Sequence, residues 1–319
     1  MSSRESIAGE LAWADGRFLP RGELALPVGD AGFVLGATVT EQLRTIGGRL
    51  FLLDEHLARL QESLAVVGIV PPVSLVTIGE AASAVAVHNH ALALAAGGSE
   101  PGPDLGLIVF LTPGDLAAQH EGRGSPARAV IHTFPLAFGL WADAYDRGVA
   151  IRTVATRQVP EACWPIHAKV RSRLHYHLAD REAHAAEPGA RAVLEHLDGR
   201  ISETSTANIA IVSDGGITVP PPADALAGVS LGFTRRLADR LGIPWRERSL
   251  RAADLAAGEE ILLTSTPSCI LPATRFDGRP VGTGKPGPVY RRLLAAWSAD
   301  VSLDIAAQAR SRRPTAAKA

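Results

Sequence analysis

The chain carries 32 lysines and arginines, yet only three of them are lysines: Lys169, Lys285 and Lys318. Wherever else a positive charge is used, arginine supplies it. The two residues are interchangeable on a solvated face but not as nucleophiles. Near neutral pH only lysine can shed a proton and attack as a free amine. Lys169, in PIHAKVRSRLHYHLADREA, is therefore a candidate for amine chemistry, with a solvated lysine at a helix start as the plainer reading. Four other stretches hold chemically useful groups. Glu203 ends a hairpin in DGRISETSTANIAIV. LAGVS (226–230) leads a helix, where free backbone N–H groups and the positive end of the dipole suit a phosphate. LLTSTPS (262–268) places hydroxyls after a strand, and DEHLARL (54–60) puts Arg59 on a helix. Taken singly, each also reads as ordinary structure: a solvated turn, a cap, a loop, a surface arginine.

The elements that must position these residues fall into two groups. In the first, WADGRFL (13–19) and RTIGGRLFLL (44–53) are hairpins with Asp-Gly and Gly-Gly turns. Asp54 is expected to cap a helix over 55–68 whose stripe is Leu57, Leu60, Leu64 and Val67, and a second helix fits 74–96. LGLIVFLT (105–112) and RAVIHTF (128–134) read as buried strands around a loop (113–127) long enough to be functional. The second group begins with a strand at 149–156 and a helix over 170–187. Hairpins follow at 192–204 and 208–220, then a helix at 231–241, a strand at 260–265 and a helix at 288–298. The expected organisation is α+β: a small domain over 1–136, a linker over 137–147, a large domain over 148–308 and a disordered tail over 309–319.

A lysine amine, a carboxylate for a ring nitrogen, and a helix start plus an arginine for a phosphate fit one ligand, pyridoxal 5'-phosphate. Their order also resembles the class IV aminotransferases (PLP fold type IV). That family includes branched-chain and D-amino acid aminotransferases, (R)-selective amine transaminases and aminodeoxychorismate lyases. The resemblance runs through DAGFVLGATVTEQLRTIGGRLFLLDEHLARLQESL, AKVRSRLHYHLADREA, LDGRISETSTANIAIV, LAGVS, LLTSTPSCILPATRFDGRPVG and GPVYRRLLAAW. It implies a D-amino acid aminotransferase-like two-domain fold with the cofactor in the interdomain cleft, and a homodimer. It also assigns roles. Lys169 would bond the cofactor through its amine and later move the substrate proton. Glu203 would hold the ring nitrogen protonated. Arg59, the backbone of Val229, Ser230 and Thr266 would bind the phosphate, and Leu226 would pack on the ring.

Departures from the family pattern bear on the substrate. Leu174 stands where a partner of the ring hydroxyl often sits, Ala210 where an aromatic is usual, and Leu231 where an arginine is usual. Gly106 and Ile108 replace the Tyr-x-Arg of branched-chain enzymes, and Pro113 replaces the arginine of D-amino acid enzymes. Thr40 replaces an aromatic, and Pro267 removes an N–H that can bind a carboxylate. The substrate-facing candidates are Thr40, Arg44, Ile108, Arg173 and Ser268, and the cationic replacements for a carboxylate handle are Arg44, His132, Arg171 and Arg173. The implied reaction moves an amino group between an amino acid or amine and a 2-oxo acid. Ser172-Arg173-Leu174 is also similar to the Asn-Arg-Leu of aminodeoxychorismate lyases, whereas Glu41 stands where those lyases usually have threonine. A PLP-binding homologue without turnover is the third reading.

Composition removes other classes. A net charge of −1 leaves no basic footprint for nucleic acid or a membrane surface. Cys163 and Cys269 form no disulfide framework, and the first residues lack a signal peptide's apolar core, so a cytoplasmic enzyme is expected. AASAVAVHNHALALAA (81–96) is too short to span a bilayer. Its His88-Asn89-His90 has no further ligands nearby, and no metal site is expected. VGTGKPGP (281–288) imitates a phosphate loop, but Arg279 and Pro286 break the required pattern, leaving Lys285 as a loop lysine.

Overall fold

In the computed structural model, residues 7–96 and 103–313 are described. The chain divides into two compact units. The first takes the residues up to Leu136 together with Ala168–Ser172, and the second takes Ala137–His167 and the residues from Arg173 on.

The first unit runs β1 (Leu11–Ala14), β2 (Arg17–Pro20), α1 (Ala31–Val34), β3 (Val39–Ile46), β4 (Arg49–Leu50), α2 (Leu53–Val67), α3 (Leu75–Ala95), β5 (Leu105–Thr112) and β6 (Arg128–Pro135). Its strands form one sheet in the order β2-β1-β6-β5-β3-β4. Both hairpin turns use left-handed residues, Asp15 and Gly16 (φ 48° and 90°) and Gly47 and Gly48 (φ 57° and 79°), as two-residue turns between twisted strands require. Alternation along β3 and β5 sends Val39, Leu43, Leu107, Val109 and Leu111 into a core with Leu60 and Leu64 of α2 and Ile78 and Val85 of α3. The opposite face of the sheet therefore carries Thr40, Gln42, Ile108, Phe110 and His132, aligned by the pairs Thr40↔Phe110, Gln42↔Ile108 and Ile108↔His132.

Two expectations need correction. Helix α2 starts at Leu53 after Leu52 in the left-handed region (φ 55°), with no side-chain cap. Asp54 therefore lies inside the first turn, where its charge still favours the helix N-terminus. The helix expected from residue 170 begins only at Leu174. Residues 169–171 are extended instead, because β3 takes their backbone groups. Thr40 N–H donates to the Lys169 carbonyl (3.0 Å), Arg171 N–H donates to the Thr38 carbonyl (2.9 Å), and Val39 and Val170 form an antiparallel bridge.

The second unit starts with residues 137–147, which are folded rather than a bare linker. A 3-10 turn (Phe138–Leu140) and α4 (Ala144–Arg147) bury Phe138, Ala142 and Tyr145. Then come β7 (Val149–Thr153), α5 (Leu174–Ala186), β8 (Arg191–Glu195), β9 (Ile201–Thr204), β10 (Asn208–Ser213), β11 (Gly216–Val219), α6 (Val229–Arg240), β12 (Trp245–Glu247), α7 (Ala252–Ala257), β13 (Glu260–Ser265), β14 (Cys269–Phe276), β15 (Arg279–Pro280), α8 (Pro288–Asp300) and α9 (Ile305–Ser311). The sheet order is β12-β11-β10-β13-β14-β7-β8-β9, with β15 on β14. Ile151, Val193, Ile201, Ile209, Ile211, Ile261, Leu263 and Phe276 make its main core. Helix α9 continues to Ser311 and buries Ala309, so the tail does not begin at 309. Residues 314–319, with Lys318, lie outside the described residues, as do residues 1–6.

The two sequence decoys have structural explanations. Both carboxylate oxygens of Glu260 accept the first N–H groups of α8, from Val289 (2.8 Å) and Tyr290 (2.9 Å). Gly287 is required there, since a Cβ would lie 2.1 Å from the Glu260 carboxyl carbon. The glycine-rich approach to α8 thus seats the protein's own carboxylate. In His88-Asn89-His90, Asn89 is the structural residue. It accepts from Leu11 N–H (2.7 Å) and donates to the Leu11 carbonyl (2.8 Å) and to Thr133 Oγ1 (2.7 Å). Strand β1 pairs with β6 only at Trp13↔Ile131 and Ala14↔Val130, and the same register would set Leu11 opposite Thr133. The amide replaces the ladder where it stops. Asn89→Ala strands two buried backbone groups and is expected to lower the unfolding free energy by about 2–3 kcal/mol in equilibrium urea denaturation. His88→Ala, which removes one contact to the Gly9 carbonyl from a partly exposed ring, should stay within about 1 kcal/mol.

Candidate active site

In the first unit Lys169 lies beside Ser63 of α2 and Thr40 of β3. Its backbone is pinned at both groups, because its N–H donates to Ser63 Oγ (3.0 Å) and its carbonyl accepts from Thr40. Ser63, Arg59 and His56 lie on one face of α2 by their spacing of four and three. That face meets Glu41 of β3, which is 1% exposed. Arg59 grips Glu41 in a two-point fork, Nε to Oε1 at 2.8 Å and a terminal nitrogen to Oε2 at 2.7 Å, while His56 Nδ1 lies 2.6 Å from Oε2. Burial alone would raise the Glu41 pKa. The Arg59 charge and fork, with His56, more than reverse this and bring it from 4.5 to about 2. Burial lowers His56, and the charges of Arg59 and Lys169 push the same way against Glu41. The imidazole is thus neutral beside a fixed carboxylate, and the Arg59 plane is held rigidly.

The substrate candidates separate by their partners. Thr40 and Ile108 lie on the sheet face away from α2 and α3, and the Thr40 hydroxyl donates to the Val109 carbonyl (3.1 Å). Arg44 does not suit the role expected of it. It is 1% exposed, its Nε donates to the Thr45 carbonyl, and it pairs at 3.8 Å with Asp104, itself buried. Arg171 is exposed and His132 partly buried. Burial lowers the His132 pKa, with the charges of Arg21 and Arg171 adding to it.

The second unit builds its candidates on the ends of β9, β10 and β13. Glu203 is 7% exposed on β9. Its Oε1 accepts from Tyr176 Oη at 2.6 Å and its Oε2 from Asn208 Nδ2 at 3.3 Å. Asn208 also donates to the Leu226 carbonyl (2.7 Å), which fixes the segment entering α6. At Gly228 a Cβ would come within 1.9 Å of Asn208 Oδ1, so the cap of α6 has to be glycine. Helix α6 has no side-chain cap, and its first residues are Val229 and the buried Ser230. Thr266 sits in the turn between β13 and β14. That turn is closed by Ser265 and Ser268 hydroxyls 2.8 Å apart and ends at Cys269 in the left-handed region (φ 57°). The Ser268 carbonyl accepts from Tyr145 Oη (2.9 Å).

Arg173 also differs from expectation. It donates to the Ser205 carbonyl and lies 4.3 Å over the Tyr176 ring, so it supports this unit's own residues instead of offering itself to a substrate. Sequence reasoning missed Tyr176, Gln158, Ser63 and the His56–Glu41–Arg59 cluster. The His-x-x-Arg spacing on α2 was a usable signal for that cluster. Nothing local marks Tyr176, which lies two residues beyond Leu174, the position expected to matter and 70% exposed.

Residues 38–276 match the amino-transferase class IV family. A D-alanine aminotransferase of Bacillus licheniformis is 26% identical over 285 residues, 88% of this chain and 94% of that protein. A branched-chain-amino-acid aminotransferase-like protein of Arabidopsis thaliana is 26% identical over 290 residues, covering 90% of this chain and 50% of that one. Among solved structures, the branched-chain amino acid aminotransferase of Escherichia coli superposes with a TM-score of 0.82 at 23% identity, covering 91% and 94% of the two chains. The T.th. branched-chain amino acid aminotransferase complexed with N-(5'-phosphopyridoxyl)-L-glutamate gives 0.80 at 24% identity, covering 93% and 95%. The two-unit α+β architecture is therefore that of PLP fold type IV, and the chain belongs to the class IV aminotransferase family.

Proposed function

We propose that this aminotransferase works with pyridoxal 5'-phosphate held by Lys169, Arg59, Glu203, Leu226, Val229, Ser230 and Thr266, and exchanges an amino group between an amino acid and a 2-oxo acid. The observation that carries the reading is the strip of the second unit joined by Asn208. One amide ties the Glu203 carboxylate, suited to a ring nitrogen, to the Leu226 backbone at the entry to α6, whose first N–H groups suit a phosphate. The donor set fits the cofactor in charge and in kind, and Gly228 keeps the approach to α6 clear of a side chain. Bound, the cofactor would supply an electron sink for the substrate carbon that loses its proton. Lys169 would supply the amine and, through Nζ, the base that moves that proton. Its backbone bonds to Ser63 and Thr40 keep the side chain's origin fixed while the amine is reused. Glu203 would hold a proton at the ring nitrogen, and Arg59, fixed by Glu41, would bind phosphate.

The relatives' names make D-alanine and branched-chain amino acids the first donors to try. For the α-carboxylate we assign Arg171. Residues 169 and 171 flank the Val39–Val170 bridge and therefore share one side of it. Arg171 is the cationic candidate two residues from the reactive amine on that side. Exposed apolar side chains in one segment, Val28 (79%), Phe33 (72%) and Leu35 (62%), suit a second copy of the chain.

Wild-type protein should take up pyridoxal phosphate with a visible absorption band, and borohydride should fix the cofactor to Lys169, read by mass spectrometry. Lys169→Ala should not be labelled, and Gly228→Ala should bind the cofactor at least tenfold more weakly, about 1.4 kcal/mol. Absence of cofactor uptake by wild type would sink the reading. Arg171→Gln should raise KM for amino acid donors by about 10- to 100-fold, the loss of one charge-assisted pair, while leaving cofactor affinity in place. An unchanged KM removes Arg171 from the assignment. Light scattering should give twice the chain mass, and Phe33→Glu should shift it toward one.

A further inference from the structure

Tyr176 is held on every side. Gln158 Nε2 donates to its hydroxyl oxygen at 3.1 Å and to Ser202 Oγ at the same distance. The Arg173 guanidinium lies over its ring, anchored on the Ser205 carbonyl, and the His175 ring lies 4.0 Å away between centroids. Among the described residues the hydroxyl donates to Glu203 Oε1 at 2.6 Å, a short bond of the charge-assisted kind. Burial and then the Glu203 charge push the phenol well above its ordinary range, so it stays a donor at any working pH. The position where a partner of the ring hydroxyl often sits carries Leu174 instead, which is exposed.

We propose that Tyr176 is a positioning residue for Glu203, keeping that carboxylate ionised and oriented, together with Asn208, so that it accepts the ring N–H of the cofactor. This rests on Glu203 facing the ring nitrogen. The physical ground is general: a hydrogen bond to the charged form of an acid favours that form, and its removal moves protonation to higher pH. A protonated Glu203 would lack the negative charge that favours a proton on the ring nitrogen. Other groups lie around the same carboxylate. Arg173 lies beyond the Tyr176 ring, neutral Asn208 donates from β10, and His196 just past β8 feels the Glu203 charge while burial and the Arg200 charge lower its own pKa. None of these changes when the hydroxyl is removed, so the effect of its loss is separable.

The test uses holoenzyme reconstituted with pyridoxal 5'-phosphate, comparing wild type, Tyr176→Phe and Gln158→Leu. Three quantities are measured: cofactor affinity by equilibrium dialysis, the pH titration of the bound cofactor's visible absorbance without substrate, and the pH profile of the half-reaction with the fastest donor. Tyr176→Phe should weaken cofactor binding about tenfold and move the acid limb of the profile up by about one pH unit, with donor KM nearly unchanged. Gln158→Leu, which leaves the hydroxyl in place but removes its own donor, should move the limb the same way by less, and it carries the test if the phenylalanine variant does not fold. Superimposable titrations for wild type and both variants overturn the Tyr176 assignment, as does a change confined to donor KM. A wild type that takes up no cofactor overturns the underlying reading of Glu203 instead.

Discussion

The arrangement depends on a short backbone pairing, the bridge that ties Val170 to Val39 and makes Lys169 an annex of β3. A lysine that alternates between bonding a cofactor and handling a proton needs a mobile side chain on an immobile stem. Two hydrogen bonds fix the stem, one from β3 and one to α2, and both come from elements rooted in the core of the first unit. The pairing reassigns five residues, Ala168–Ser172, to a unit whose other members end at Leu136. The chain then crosses to the second unit at Arg173, the residue that props Tyr176 against Glu203.

Both units treat their buried charges in the same way. Neither carboxylate among the candidate residues is left to a single partner. Glu41 is satisfied by Arg59 and His56, and Glu203 by Tyr176 and Asn208. A buried ion that loses one partner is costly, so the pairs hold their geometry without help from a ligand. The same logic separates two helix starts of the second unit. Helix α8 receives the Glu260 carboxylate, whereas α6 begins at a glycine with no side-chain cap. An incoming anion therefore meets competition at α8 that it does not meet at α6.

Much of this was legible in the residues. The Asp-Gly and Gly-Gly turns marked their hairpins, because a left-handed pair is a local requirement that few residues meet. Lysine scarcity, Glu203 and LAGVS suggested the chemistry proposed above, because those residue types are the ones it would use. What escaped depends on partners distant in the chain. Residues 170–173 look helical until β3 and the Thr38 before it, some 130 positions earlier, take the backbone on either side of Val170. Arg44 looks like a carboxylate handle until Asp104 is seen beside it. Tyr176 reads as one helix residue among several, because its value lies in a 2.6 Å meeting with Glu203 that no spacing rule encodes.

Asn89 has a meaning beyond its energy. Along β1 the backbone groups alternate: Leu11 and Trp13 turn toward β6, while the Glu10 carbonyl accepts from Arg21 on the β2 side. An amide that must find a donor and an acceptor together on one edge is satisfied by Leu11 and fails for either neighbour. A side chain from a helix thus acts as a key for strand register. A slip of one residue would turn Trp13 out of the core, and it would also leave the key without its lock.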